Sequence, residues 1–203
     1  MPYILIAFSY LLGSIPFGLL FSKWSGMGDI RNIGSGNIGA TNVLRTGNKK
    51  IAIATLVCDV LKGAIPVILI HTYYAPDSAA NWVETCVALA AVLGHVFPVW
   101  LRFKGGKGAA TALGVYFALT PWLGGLTLFT WLVMAKVFRI SSLSALIAST
   151  LSPLIALYLS SWSVTTLVYN TLFIAILILY THRENIKRLI AGNESKIEVN
   201  TQG

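Results

Sequence analysis

Apolar runs long enough, or nearly long enough, to cross a bilayer recur at residues 2–22, 51–71, 83–101, 109–120, 122–138, 142–160 and 164–181. Short polar stretches separate them. The pattern predicts an all-α integral membrane protein with seven transmembrane helices. The fourth run is short for a crossing and suits a tilted or protein-lined position. Residues 2–22 could imitate a secretory leader, but no basic segment precedes them, so they are read as a true span.

Composition supports the pattern. Of 203 residues, 56% are hydrophobic and only 11% are charged, whereas a soluble domain usually carries about 25% charged residues. A single membrane-embedded domain over residues 1–203, with a polar tail at about 195–203, is the simplest organisation. The net charge of +8 would suit nucleic acid, but the basic residues are scattered along short loops, as positive-inside bias scatters them. With seven spans and the N-terminus outside, all 15 Lys and Arg residues except Lys62 fall on the inner side. The outer segments near 72–82, 120–122 and 160–164 hold none. The expected topology is therefore N-terminus outside and C-terminus cytoplasmic. Cys58 and Cys86 lie within spans and read as free thiols.

This topology collects the polar motifs on one face. Residues 103–111, Phe-Lys-Gly-Gly-Lys-Gly-Ala-Ala-Thr, combine Lys104 and Lys107 with Gly105, Gly106 and Gly108. Such a turn can aim backbone N–H groups and two cations at one phosphate, or can simply be a basic turn between helices. The longest connection, residues 23–50, contains Ser35, Gly36, Asn37, Gly39, Thr41, Asn42 and Arg45. It reads as a tight loop followed by a helix start, another arrangement suited to an anion. Arg45 follows Thr41 by one helical turn and shares its face.

Asp59 and Lys62, inside the second span, have the i, i+3 spacing of a helical ion pair and are expected to pair beside the site. His95 lies about two turns before the lysine loop and supports it or acts in it. Ser141 or Ser142 is a natural N-cap for the sixth span, and a cap hydroxyl can also touch phosphate. His182 and Asn185 share a face where the last span leaves the membrane. No His/Cys/carboxylate cluster suggests a metal, and no serine or cysteine nucleophile has an obvious base. His71, His95 and His182 lack an Asp at the His-x4-Asp spacing. Gly108 stands where a Walker A loop needs Ser or Thr.

Together these stretches resemble the bacterial acyl-phosphate-dependent glycerol-3-phosphate acyltransferases, the PlsY family. The likeness rests on residues 35–45 (SGNIGATNVLR), Asp59-x-x-Lys62-Gly63, residues 94–111 (GHVFPVWLRFKGGKGAAT), and residues 182–189 (HRENIKRL) with Gly192 and Glu194. It covers almost the whole chain. The resemblance implies a multi-pass protein of the bacterial inner membrane with its active site on the cytoplasmic side. The implied reaction moves an acyl chain from acyl phosphate to the 1-hydroxyl of sn-glycerol 3-phosphate, giving lysophosphatidic acid and inorganic phosphate. No cofactor, acyl-CoA or acyl carrier protein is implied. The expected partners are the two substrates and membrane lipids, and not nucleic acid.

On this reading the loop at 35–41 and the loop at 104–108 cradle the two phosphates, while Arg45 and Lys104 neutralise charge. Ser142, His182 and Asn185 orient glycerol 3-phosphate. The attacking hydroxyl passes its proton either to an acyl-phosphate oxygen or to His182 as general base. Lys187 occupies a variable position and is left out. Two other classes compete, a transporter for a phosphorylated solute and a lipid-binding scaffold. The polar groups gather at one face rather than along a path through the bilayer, which favours the enzyme.

Overall fold

The computed structural model describes residues 2–73 and 80–197, all helical or irregular. Most of the outer loop expected at 72–82 and the end of the polar tail lie outside the described residues. Ten α-helices follow in order: α1 (Pro2–Gly13), α2 (Phe17–Trp24), α3 (Ala40–Leu44), α4 (Lys49–Tyr73), α5 (Ala80–Val96), α6 (Ala109–Leu119), α7 (Pro121–Phe138), α8 (Ser141–Leu159), α9 (Thr166–Thr181) and α10 (Arg183–Ile190).

Among the described residues four helical segments are long and apolar enough to cross a bilayer, at Lys49–Thr72, Trp82–Leu101, Pro121–Phe138 and Ser141–Leu159. Two bent pairs raise the number to six, α1 with α2 at 41° and α9 with α10 at 62°. The first bend follows from Pro16, which has no N–H to continue the ladder from α1. The fourth apolar run became α6, 11 residues long. At 1.5 Å per residue it extends about 16 Å, roughly half of a hydrocarbon core.

Helix approach depends on small residues where backbones meet. A methyl group on Gly13 would strike the Ala91 carbonyl, and one on Gly94 would strike that of Tyr10, so α1 and α5 lie in close contact. Gly63 against Thr111 and Gly114 against Val60 do the same for α4 and α6. In lipid, where apolar contact alone gives little preference for a helix partner, such approach is a main source of packing energy. Across α1 and α5, Ser9 Oγ also donates to the Val87 carbonyl at 2.7 Å. The buried core between α4, α5, α6 and α9 includes Val67, Val87, Val92, Val115, Tyr116 and Ile174. Cys58 and Cys86 are free thiols, as expected.

Candidate active site

The loop before α3 is pinned from within. Asn42, fully buried, accepts from the Ser35 backbone N–H at 2.9 Å through Oδ1. Its Nδ2 donates to the carbonyls of Ile30 and Ile33 at 3.0 and 2.9 Å. Expected to touch phosphate, Asn42 spends both ends of its amide holding the loop instead. Gly34 and Gly36 take positive φ of 55° and 69°, a conformation that disfavours side chains. Gly39 caps α3 in extended backbone, and Thr41 and Arg45 follow on the helix and its C-cap. Thr41 Oγ1 lies 3.1 Å from Ser141 Oγ. Arg45 reaches across the site to donate to Ser195 Oγ.

The lysine loop is anchored to the end of α5. Arg102 and Phe103, neither of them glycine, adopt left-handed φ of 52° and 61°. The chain then returns so that the Gly105 and Gly106 N–H groups donate to the carbonyls of Val96 and His95, both at 3.0 Å. These two amides had been expected to face an anion, and the structure corrects that: they close the loop. Gly108, at φ +88°, caps the start of α6 and borders the site together with Ala109 and Ala110. Lys107 points inward and donates to Asn185 Oδ1 at 2.5 Å. Lys104 is exposed and points to an adjoining groove.

The third wall is the bend between α9 and α10. His182 is buried there, with Nδ1 2.9 Å from the Ile178 carbonyl. A carbonyl only accepts, so Nδ1 carries the hydrogen and neutral His182 keeps a bare Nε2. Burial, aided by the charge of Lys107, lowers its pKa to about 4. Asn185 Nδ2 donates to Glu194 Oε1 at 2.6 Å, and Ser142 Oγ donates to the same oxygen at 2.7 Å. Arg188 Nε donates to Glu194 Oε2 at 2.7 Å. Burial alone would raise the Glu194 pKa, but these three donors and the Arg188 charge hold it below the ordinary carboxylate value. Lys107, lowered chiefly by burial and also by Arg188 and Arg45, and only partly rescued by Glu194, falls to about 8.

Ser141 and Ser142 do not cap α8. Ile140 takes the cap position and no side chain bonds there. Both hydroxyls are used across the site, on Thr41 and Glu194. Asp59 and Lys62 form the expected ion pair at 2.8 Å, almost wholly buried. His95 Nδ1 lies 3.7 Å from Asp59.

These walls enclose a cavity of about 470 Å³. One end is lined by Ser35, Asn37, Gly39, Arg45, Lys107, Ser142, His182 and Asn185; Asp59 and His95 also border it, and Lys62 does not. The other end is apolar, walled by Leu61 of α4, Leu113 and Phe117 of α6, and Leu128 and Trp131 of α7. A second groove of about 410 Å³ shares Ser35, Asn37 and Lys107 and is bordered by Gly36, Lys104, Gly105 and Gly106. Most expected residues thus meet around one space. Glu194 and Ser195 also line it, with Arg188 holding Glu194 from behind, and none of the three has a role in the motif reading. In the sequence Glu194 counts only through the family resemblance, in which it stands with Gly192, where a turn at φ +72° folds the chain back.

What the arrangement offers is a cationic, donor-rich mouth joined to an apolar recess between helices. Among the described residues no group of three metal-ligating side chains gathers.

A family model described as glycerol-3-phosphate acyltransferase matches residues 3–192. The glycerol-3-phosphate acyltransferase of Mesorhizobium japonicum is 51% identical over 192 residues, covering 95% of this chain and 94% of that protein. That of Neisseria gonorrhoeae is 50% identical, with 95% of each covered. The crystal structure of PlsY (YgiH), an integral membrane glycerol 3-phosphate acyltransferase, in its glycerol 3-phosphate form, superposes with a TM-score of 0.89 at 42% identity. The match covers 97% of this chain and 96% of that one. Its lysophosphatidic acid form gives 0.86 at 40% identity, over 98% and 96%.

Proposed function

Because the chain belongs to the glycerol-3-phosphate acyltransferase (PlsY) family, we propose that it transfers an acyl chain from acyl phosphate to the 1-hydroxyl of glycerol 3-phosphate. The products are lysophosphatidic acid and inorganic phosphate, as in the first step of phospholipid synthesis. The enzyme crosses the bacterial inner membrane seven times, with its N-terminus outside and its site on the cytoplasmic side. The position of nearly all Lys and Arg residues on one face supports that orientation.

The observation that carries the reading is the joining of two chemistries in one cavity. Lys107 and Arg45 line its polar end, and apolar side chains from α4, α6 and α7 line the other. A phosphate dianion needs the first and a lipid chain needs the second. Acyl phosphate is a mixed anhydride with a good leaving group, so direct attack by the glycerol hydroxyl needs no acyl-enzyme.

The mechanism is positioning with electrostatic stabilisation. Arg45 and Lys107 bind phosphate charge in the main cavity, and Lys104 adds charge from the adjoining groove. The remaining free amides at the start of α6 complete the cradle. Ser142 and Asn185, held by Glu194, orient glycerol 3-phosphate. Bare Nε2 of His182 accepts from its hydroxyl. A histidine with pKa about 4 is a weak base at neutral pH, which supports proton delivery to a phosphate oxygen of the donor, with His182 aligning the hydroxyl.

The test is phosphate release by purified protein given palmitoyl phosphate and glycerol 3-phosphate, with palmitoyl-CoA as rival donor. Release that requires glycerol 3-phosphate and yields lysophosphatidic acid is expected. Turnover with palmitoyl-CoA alone would overturn the donor assignment. Uptake of glycerol 3-phosphate into vesicles without product would replace the enzyme with a transporter.

A further inference from the structure

The buried pair Asp59–Lys62 touches no expected substrate group, yet a charge pair inside a membrane span is costly to keep. Lys62 Nζ lies 2.8 Å from Asp59 Oδ1 and donates to the Ile15 carbonyl at 2.8 Å, where the α1–α2 bend leaves that oxygen outside a regular helix. Asp59 in turn faces His95 Nδ1 at 3.7 Å. The opposite edge of the imidazole lies directly under Gly106. A methyl group there would overlap Nε2 and come within 2.9 Å of Cε1 and 3.0 Å of Cδ2. The same residue's carbonyl receives the Gly106 N–H. His95 therefore supports the lysine loop from below by its ring and from its backbone, one residue before Lys107.

We propose that His95 is a positioning residue for the lysine loop. Asp59 and Lys62 set its ring, and the ring sets the height from which Lys107 reaches the polar end of the cavity. The chain runs from Ile15 at the α1–α2 bend through Lys62, Asp59, His95 and Gly106 to Lys107; the four in the middle are buried, and Ile15 and Lys107 at its ends are half-buried. Gly106 is glycine because the ring occupies the space of its side chain. The inference rests on the reading that the polar end takes glycerol 3-phosphate.

Binding of glycerol 3-phosphate by calorimetry, without acyl donor, is measured alongside turnover. His95→Ala should weaken binding and raise KM about tenfold while kcat changes less than about threefold, the signature of lost ground-state binding. Gly106→Ala should do the same by pushing on the ring. Combined with His95→Ala, its methyl group enters the vacated space, so the double variant should bind several-fold better than Gly106→Ala alone. Where His95→Ala does not fold, His95→Asn keeps a polar atom toward Asp59 and still removes the ring edge. A roughly hundredfold fall in kcat at unchanged KM would make His95 catalytic and overturn the inference. Independent, multiplying defects in the double variant would overturn it too. If the wild-type protein binds glycerol 3-phosphate and His95→Ala binds it equally well, the inference fails and the proposed function stands. If the wild-type protein does not bind glycerol 3-phosphate, both fall.

Discussion

Activity should have an alkaline limit set by Lys107. Burial and the neighbouring guanidinium groups of Arg188 and Arg45 bring its pKa to about 8, so the ammonium form dominates below that value and is lost above it. At pH 7 about nine-tenths of the free enzyme carries the charge, and at pH 9 about one-tenth. Glycerol 3-phosphate does not titrate across this window, because a phosphate monoester loses its second proton at about pH 6. If the charge of Lys107 is needed for binding, kcat/KM for glycerol 3-phosphate should fall about tenfold between pH 7 and pH 9. The assay is initial-rate phosphate release at low glycerol 3-phosphate over pH 6 to 10, with a buffer series of constant ionic strength. Two variants test the cause. Lys107→Arg keeps a charge that does not titrate in this range and should flatten the alkaline limb, whatever it does to the maximum. Glu194→Gln removes the one neighbouring charge that raises the Lys107 pKa, so the limb should move to lower pH. A profile flat to pH 10 in the wild-type protein, or a limb unchanged in Lys107→Arg, would refute the reasoning.

Other expectations follow from the same geometry. His182→Gln should keep kcat within about tenfold, since it retains an acceptor, whereas a loss of about 10²-fold at unchanged KM would make His182 the base. The acid limb should stay where it is in that variant, because the His182 pKa is lowered to about 4 while the substrate phosphate titrates at about 6. Glu194→Ala removes an acceptor whose side chain is only 5% exposed. It strands two buried donors, while the Arg188 contact is half-exposed and counts for little. A cost of about 3 kcal/mol is expected, read as a drop of roughly 6–12 °C in thermal unfolding in detergent. Gly114→Val should separate α4 from α6, because the Val60 carbonyl leaves no room for a side chain. Overpacking of about 1–3 kcal/mol would be visible as a lowered melting temperature. Asn42→Ala should raise KM for glycerol 3-phosphate more than it lowers stability, if its four bonds mainly shape the loop at Ser35.

The lengths of the apolar runs are enough to call for an all-helical membrane protein, and the charge of its loops is enough to propose which side carries the chemistry. Apolar length and loop charge are local properties, and the bilayer reads them without help from the rest of the fold. The Asp59–Lys62 pair was legible for the same reason, since i, i+3 spacing on one helix brings two side chains together wherever that helix lies. His182 and Asn185 obey similar arithmetic across a bend.

Which lysine faces the cavity came from packing alone. Lys104 and Lys107 lie in an irregular loop with no period to assign a side. The left-handed turn at Arg102 and Phe103, and the bonds from Gly105 and Gly106 to the end of α5, send one outward and the other in. The same bonds turned two glycines from candidate phosphate donors into packing surfaces, because a glycine that frees an amide and one that admits a neighbour look alike in sequence. Glu194 was the hardest to read. It sits in a polar stretch with no apolar pattern, and it acquires a role only when the turn at Gly192 places its carboxylate against Ser142, 52 residues away in the chain. Contacts of that separation depend on how α8 and α10 pack, and packing is a property of pairs of elements that no single stretch of sequence encodes.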